Sequence, residues 1–483
     1  MAGTGDDAER EVADAVHALT EQSLVSTEHR AGPTRYRLLE MVRAVGHEGV
    51  TADERHEVLD RLVRYCIGEL DRLEGQDLPA AGIGDQIIQD SALYTTAADH
   101  ALATQQTELG FRLVHDLFIV WQGDAQRVTL DRWMTALVAQ MTSPSPERSM
   151  VLRRQAIIAS EYHGDDEQAQ RLLDAAEADA IAVGDRRMLG RVRSTRAGID
   201  LDVGRLDGLD ARLSDAIALL EETDDEYAVD ALGALATLHS LQGRFDEAER
   251  LSQRRLSIKP HWFRRMEIEY ERTWTALMTG RVDAAAARAA ETLEAAQQTG
   301  NTDLVAHGIE VAAHAALARG DAEVAHALFV RTLAFAREHE LPRISEALTG
   351  LAIAAVVRGD LSTAGAARDE LRSRGHSDGS DELRAYRRIA CAFVDQAEGD
   401  NALAASEAAD VISVADRLRY RYIKALATEL LAAAVASDDP ARARELLADA
   451  SDERTAIGAT PWPHEPYRDA ALRTLNVSSS RSD

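Results

Sequence analysis

The chain has 483 residues, a length that points to several domains or a repeat array rather than one compact core. Apolar residues make up 45% but aromatics only 5%, and alanine carries much of the difference, which favours closely packed helices over a sheet sandwich. The formal charge of −28, with Lys259 and Lys424 the only lysines, argues against direct nucleic-acid binding, because binders turn a basic face to the phosphates.

Ala8 to Gln22 reads as a helix with Val12, Ala15, Val16 and Leu19 on one face. Ser23 to Thr27 reads as a strand, Ala31-Gly32-Pro33-Thr34 as a turn, and Tyr36-Arg37-Leu38-Leu39 as a second strand that runs into a helix near Glu40. Helix, strand, wing, strand is the latter half of a winged helix. Its candidate recognition helix carries Asp6, Asp7, Glu9, Glu11 and Asp14 against Arg10 alone, so a packing role is expected and DNA readout is not. Half a domain also leaves an apolar face that needs a cover.

The stretch HALTEQSLVSTE, then RYRLLEMVRAVGHE, resembles the winged-helix segment that follows the nucleotide-binding module in large bacterial signal-transduction ATPases. These form the STAND class and include LuxR-type and antibiotic-pathway regulators. Further on, FRLVHDLFIVWQGD followed by DRWMTAL is similar to that family's first repeat, with Trp121, Gly123, Arg132 and Trp133 matching. The resemblance implies the C-terminal, sensor part of a transcriptional regulator, with an NTPase module in cis or in trans. Neither lysine lies in a Gly-Lys-Ser/Thr context, so no phosphate loop is written here. Where relatives carry a Met-His-Asp-like triplet that senses ADP, this chain has Leu38, Leu39 and Glu40. Nor is there a C-terminal DNA-binding helix-turn-helix. The end, ALRTLNVSSSRSD, reads as a frayed tail.

One spacing organises the remainder. A glycine, usually followed by a polar residue, ends one helical pattern and opens the next at Gly123, Gly164, Gly204, Gly243, Gly280, Gly320, Gly359 and Gly399, and Asp438-Asp439 takes that place in a ninth unit. The mean interval is about 39 residues. Five positions on stands alanine in seven units (Ala169, Ala248, Ala285, Ala325, Ala364, Ala404 and Ala443), with Val128 and Leu209 in the other two. Glycine accepts the left-handed conformation that reverses the chain, the polar residue can cap the next helix, and the small side chain lets two backbones approach. The turn Leu241-Gln242-Gly243-Arg244-Phe245-Asp246-Glu247-Ala248 looks like that of a tetratricopeptide repeat, with Phe245 where that family prefers tyrosine. The usual repeat is 34 residues, so these units resemble the extended repeats of bacterial signalling regulators.

Arg254-Arg255-Leu256-Ser257-Ile258-Lys259-Pro260-His261-Trp262-Phe263-Arg264-Arg265 departs from the acidic background. Arg254, Arg255, Lys259, Arg264 and Arg265 with Trp262 form a candidate pocket for an anionic ligand or acidic peptide. The alternative is a set of arginines balanced by acidic neighbours. His307, His314 and His326 lie on predicted helices, where packing is the expected role. Clusters such as Asp165-Asp166-Glu167 and Asp224-Asp225-Glu226 fall at helix starts, where carboxylates meet the positive end of the dipole.

No catalytic or metal-binding motif is written, and neither cofactor nor enzymatic activity is expected. Cys66 and Cys391 stand too far apart in sequence for a ligand pair, the N-terminus MAGTGDDAER lacks the order of a signal peptide, and the longest apolar runs, such as Ala347 to Val357, are shorter than the roughly 20 residues of a membrane helix. A cytoplasmic protein is expected. The predicted architecture is an all-α, right-handed tetratricopeptide-like solenoid of about nine hairpins. Its parts are a partial winged helix with a small β-hairpin (1–50), a helical connector (51–105), the solenoid (106–455), and a cap with a disordered tail (456–483). The expected partner is a protein, a peptide or a small-molecule inducer in the superhelix groove.

Overall fold

The computed structural model describes residues 6–28, 35–38, 49–74, 87, 90–120, 124–258, 262–299, 302–339, 341, 343–374 and 380–480. The chain divides into two compact units, Met1–Cys66 and Ile67–Asp483. No helix among the described residues is long and apolar enough to cross a membrane.

The first unit holds helix α1 (Asp6–Glu21) and strands β1 (Val25–Glu28) and β2 (Arg35–Leu38). Ser23, at φ 58°, turns the chain out of α1. The strands pair antiparallel with Val25 opposite Leu38 and Glu28 opposite Arg35. Helix and both strands stand where the sequence puts them. The turn at 31–34, Leu39, and the helix expected near Glu40 lie outside the described residues. On the predicted apolar face of α1, Val12 is 64% exposed, while Val16 and Leu19 are half-buried. Helix α2 (Ala52–Glu74) contains the boundary between the units.

Among the described residues, the second unit continues with α3 (Ser91–Ala103) and then nine helical hairpins. The pairs are α4 (Thr107–Val120) with α5 (Asp124–Gln140), α6 (Pro146–Glu161) with α7 (Asp166–Ala182), and α8 (Arg186–Asp202) with α9 (Leu209–Glu222). Next come α10 (Ala228–Leu241) with α11 (Phe245–Ser257), α12 (Trp262–Met278) with α13 (Val282–Thr299), and α14 (Thr302–Arg319) with α15 (Ala322–Glu338). The last three are α16 (Ile344–Arg358) with α17 (Leu361–Ser373), α18 (Asp381–Glu398) with α19 (Asn401–Leu418), and α20 (Arg421–Val435) with α21 (Pro440–Ala456). Helix α22 (Pro466–Ser480) follows, so the stretch that reads as a frayed tail is helical to Ser480, with Ala471 and Leu475 buried.

The hairpin turns work as the spacing implies. Gly164, Gly204, Gly243, Gly280, Gly320, Gly359 and Gly399 all have positive φ, between 61° and 96°. Gly123 and Trp121 lie outside the described residues. The next residue closes the turn, as where Asp360 N donates to Ala355 O at 2.9 Å. Asp165, Asp360, Asp400 and Asp439 cap the following helix through their side chains, whereas Arg244 and Asp321 make no side-chain cap. All seven repeat alanines are at most 1% exposed, and Leu209 is fully buried. Val128 departs from the pattern at 63% exposed. In α5 the buried side chains are Arg127, Leu130, Trp133, Met134 and Leu137, a register in which position 128 faces solvent.

The solenoid is not an open stack. Helix α20 packs against α10, five hairpins earlier, and the Phe245 and Tyr422 rings meet edge-on at 6.4 Å. One apolar core therefore runs from Ala197 on α8 to Leu475 on α22.

Candidate ligand cavity

Residues 457–465, between α21 and α22, carry Pro461 and Pro463 and form a strap with no regular structure beyond turns. The strap crosses the turns of three successive hairpins. Ile457 sits against Gly243, Thr460 against Gly280 and His464 against Gly320. Only bare glycine allows this approach; a methyl group at Gly280 would lie 2.5 Å from the main-chain oxygen of Thr460. The Trp462 indole N–H donates to Leu277 O at 2.8 Å. At the root of the strap, Arg454 is 1% exposed and donates two 2.8 Å hydrogen bonds to Glu429, with Glu465 3.2 Å away and the Tyr422 ring beside it. Burial of these charges is tolerable because each finds an opposite partner.

Strap and hairpins enclose a cavity of about 1630 Å³. Its wall comes mainly from the first helix of successive hairpins, which the repeat geometry turns inward. These helices contribute Glu271 and Trp274 from α12, His307, Glu310 and His314 from α14, Glu346 and Thr349 from α16, Glu382 and Tyr386 from α18, and Tyr422 from α20. Trp462, Glu465 and Tyr467 complete it from the strap and the start of α22.

The electrostatics follow from burial. His314 lies between Trp274, 4.5 Å centroid to centroid, and Phe329 at 4.8 Å, and burial holds its pKa down at about 3. His307 stacks on Tyr270 at 4.0 Å and is likewise held well below the usual histidine range, by burial and then by the Arg343 charge. Both rings are neutral, and the packing role expected for them holds. Burial raises the Glu310 carboxyl well above the carboxylate range, with Arg343 opposing. Burial and then the charge of Asp202 push Glu382 up to about 7. Such a wall, with aromatic faces, neutral imidazoles, carboxyls and arginines, offers hydrogen bonds and stacking to a polar guest.

The sequence-predicted basic segment is elsewhere. Arg254 pairs with Glu221, buried Arg255 with Glu271, and Arg264 with Asp230 and Glu267, at 3.1 and 2.8 Å. Arg265 is exposed; Lys259 and the Trp262 side chain lie outside the description. None of the four described arginines, Arg254, Arg255, Arg264 and Arg265, lines the cavity, although Glu271, the partner of Arg255, does. Sequence reading passed over Glu310. The available signal was the spacing His307, Glu310, His314, one stripe along the first helix of a hairpin.

Neither a family model nor a curated protein matches the sequence. Among solved structures, a Rap protein complexed with competence and sporulation factor is similar at a TM-score of 0.48 and 13% identity, covering 81% of this chain and 98% of that one. A signal-transduction ATPase with numerous domains and a tetratricopeptide repeat sensor, from Pyrococcus horikoshii, is similar at 0.37 and 16% identity. That likeness covers 96% of this chain, which spans only 60% of the larger protein.

Proposed function

We propose that the solenoid is a non-catalytic receptor that takes a peptide segment into its inner cavity. The observation that carries this reading is the cavity itself. At about 1630 Å³ it exceeds the roughly 300–1,000 Å³ of small-molecule sites, and it is lined by aromatic and charged side chains rather than by a closed apolar shell. A peptide supplies both the volume and the alternating polar and apolar groups such a wall can meet. The test is a soluble hexapeptide library titrated against the purified chain and against Thr349→Trp, which fills the cavity from α16. Binding that the tryptophan abolishes supports the reading, and binding indifferent to it refutes it.

The regulatory context is part of the proposal: the chain acts as the sensor region of a STAND-class transcriptional regulator, coupled to an NTPase module. The helix–strand–strand order of α1, β1 and β2, on the residues that resemble that class, supports this over a free-standing adaptor. An immunoblot of native cells decides between them. A band well above 52.6 kDa supports the regulator, and a band at 52.6 kDa the adaptor. The segment from Arg254 to Arg265 stands on this reading as a separate subsite for an anionic group, reached through exposed Arg265, since Arg254, Arg255 and Arg264 are paired with carboxylates. Arg264→Ala with Arg265→Ala should then weaken ligand binding without unfolding the array.

A further inference from the structure

One side chain in the cavity has an unmet need. Glu310 is 5% exposed and lines the cavity, yet its Oε2 receives no hydrogen bond. Its nearest cation, Arg343 Nη1, is 3.8 Å away, too far for a hydrogen bond. Arg343 is instead committed to Asp303, to which its guanidinium donates at 2.9 and 3.4 Å. Glu346 adds a further carboxyl to the field of this one guanidinium. A buried carboxyl oxygen left without a donor costs more than it contributes, unless a guest supplies the donor.

The surroundings select what that guest must carry. His307 and His314, one turn to either side of Glu310 on α14, are neutral and add no competing charge. Trp274, packed on His314, presents an indole to the cavity, a surface on which cations are stabilised. The ligand atoms of His307, Glu310 and His314 are not gathered closely enough to hold a metal ion. With Asp303 and Glu346 set against the one guanidinium of Arg343, the subsite is short of positive charge, and burial keeps Glu310 protonated until a cationic guest favours release of its proton to solvent.

We propose that Glu310 anchors a cationic group of the ligand, a primary ammonium or a guanidinium, which enters the cavity and donates hydrogen bonds to its carboxylate. This rests on the peptide-binding reading above and adds to it the chemistry of one anchor. Two groups of a peptide could supply the cation, its N-terminal ammonium or a lysine or arginine side chain.

The experiment uses the full chain and a hexapeptide library in matched forms, with free or acetylated N-termini, and with lysine and arginine or with norleucine in their place. Binding is measured by competition for wild type and for Glu310→Gln, which keeps the shape and removes the charge. Cationic members should bind wild type about tenfold or more tighter than Glu310→Gln, while neutral members bind both alike. Loss on acetylation assigns the N-terminus; loss on norleucine substitution assigns the side chain. If peptides bind and the thermal melt of Glu310→Gln matches wild type, but cationic members show no preference between the two proteins, the anchor is refuted and the peptide cavity stands. If no member of the library binds, the peptide reading fails and takes the anchor with it. Should Glu310→Gln melt early, Glu346→Gln, on the cavity side of α16, provides a second reading of the same field. Cationic preference unchanged there as well refutes the proposal.

Discussion

The indole N–H of Trp462 donates to the main-chain carbonyl of Leu277, 2.8 Å away in space and 185 positions earlier in the chain. This bond fastens the strap to the turn of the fifth hairpin and makes the strap a wall of the cavity. Trp462→Phe keeps most of the ring and loses the donor, which should cost about 1 kcal/mol. Trp462→Ala removes the packing as well and should cost about 3 kcal/mol. Urea unfolding of both variants checks the order: no loss in Trp462→Phe would mean that the hydrogen bond contributes nothing, and equal losses that the ring packing contributes nothing.

Arg454 holds the root of the strap through Glu429 and Glu465, all three being at most 2% exposed. Arg454→Met leaves two carboxyls buried without their cation and should destabilise by about 3–5 kcal/mol. The triple variant Arg454→Met, Glu429→Gln, Glu465→Gln should recover part of that loss, since no unpaired charge remains. Thermal melts of the two variants make the comparison.

Gly280 and Gly359 share a left-handed backbone, at φ 74° and 81°, but not a setting. A methyl group at Gly359 meets open space, whereas at Gly280 it meets the strap backbone. Gly359→Ala should therefore cost only the conformational strain, about 1–2 kcal/mol. Gly280→Ala should cost clearly more, and also raise hydrogen exchange at residues 457–465. Equal melting temperatures would show that the strap is not seated on the turn.

Two cavity groups give opposite pH dependences. Burial holds His314 at about 3, against 6.5 in the unfolded chain. As pH falls below about 7, the unfolded state binds a proton that the folded state refuses, and stability is lost. Glu382 is raised to about 7, against 4.5 unfolded. As pH rises from 4.5 through 7, the unfolded state sheds a proton that the folded state retains, so here stability is lost with rising pH. Relative to wild type, His314→Gln should gain toward pH 5 and Glu382→Gln toward pH 8. Denaturant midpoints across that range measure both slopes.

The hairpins were legible in the sequence because their signal is local. A turn glycine, the residue behind it and an alanine five positions on lie within six residues, and glycine's left-handed backbone and alanine's small side chain act at that range wherever they occur. The same reading misassigned Val128, where the buried stripe of α5 follows another register, and the end of the chain, where α22 is helical because Ala471 and Leu475 find a core to enter. Neither neighbour is near in sequence. Tertiary structure alone decided that the solenoid closes, with Phe245 against Tyr422 and Trp462 on Leu277. Closure depends on a small rotation summed over five hairpins, which no single repeat encodes. It also decided which side chains face inward, and so left one carboxyl oxygen of Glu310 buried without a hydrogen-bond donor while Arg254, Arg255 and Arg264 spent their charges on nearby carboxylates.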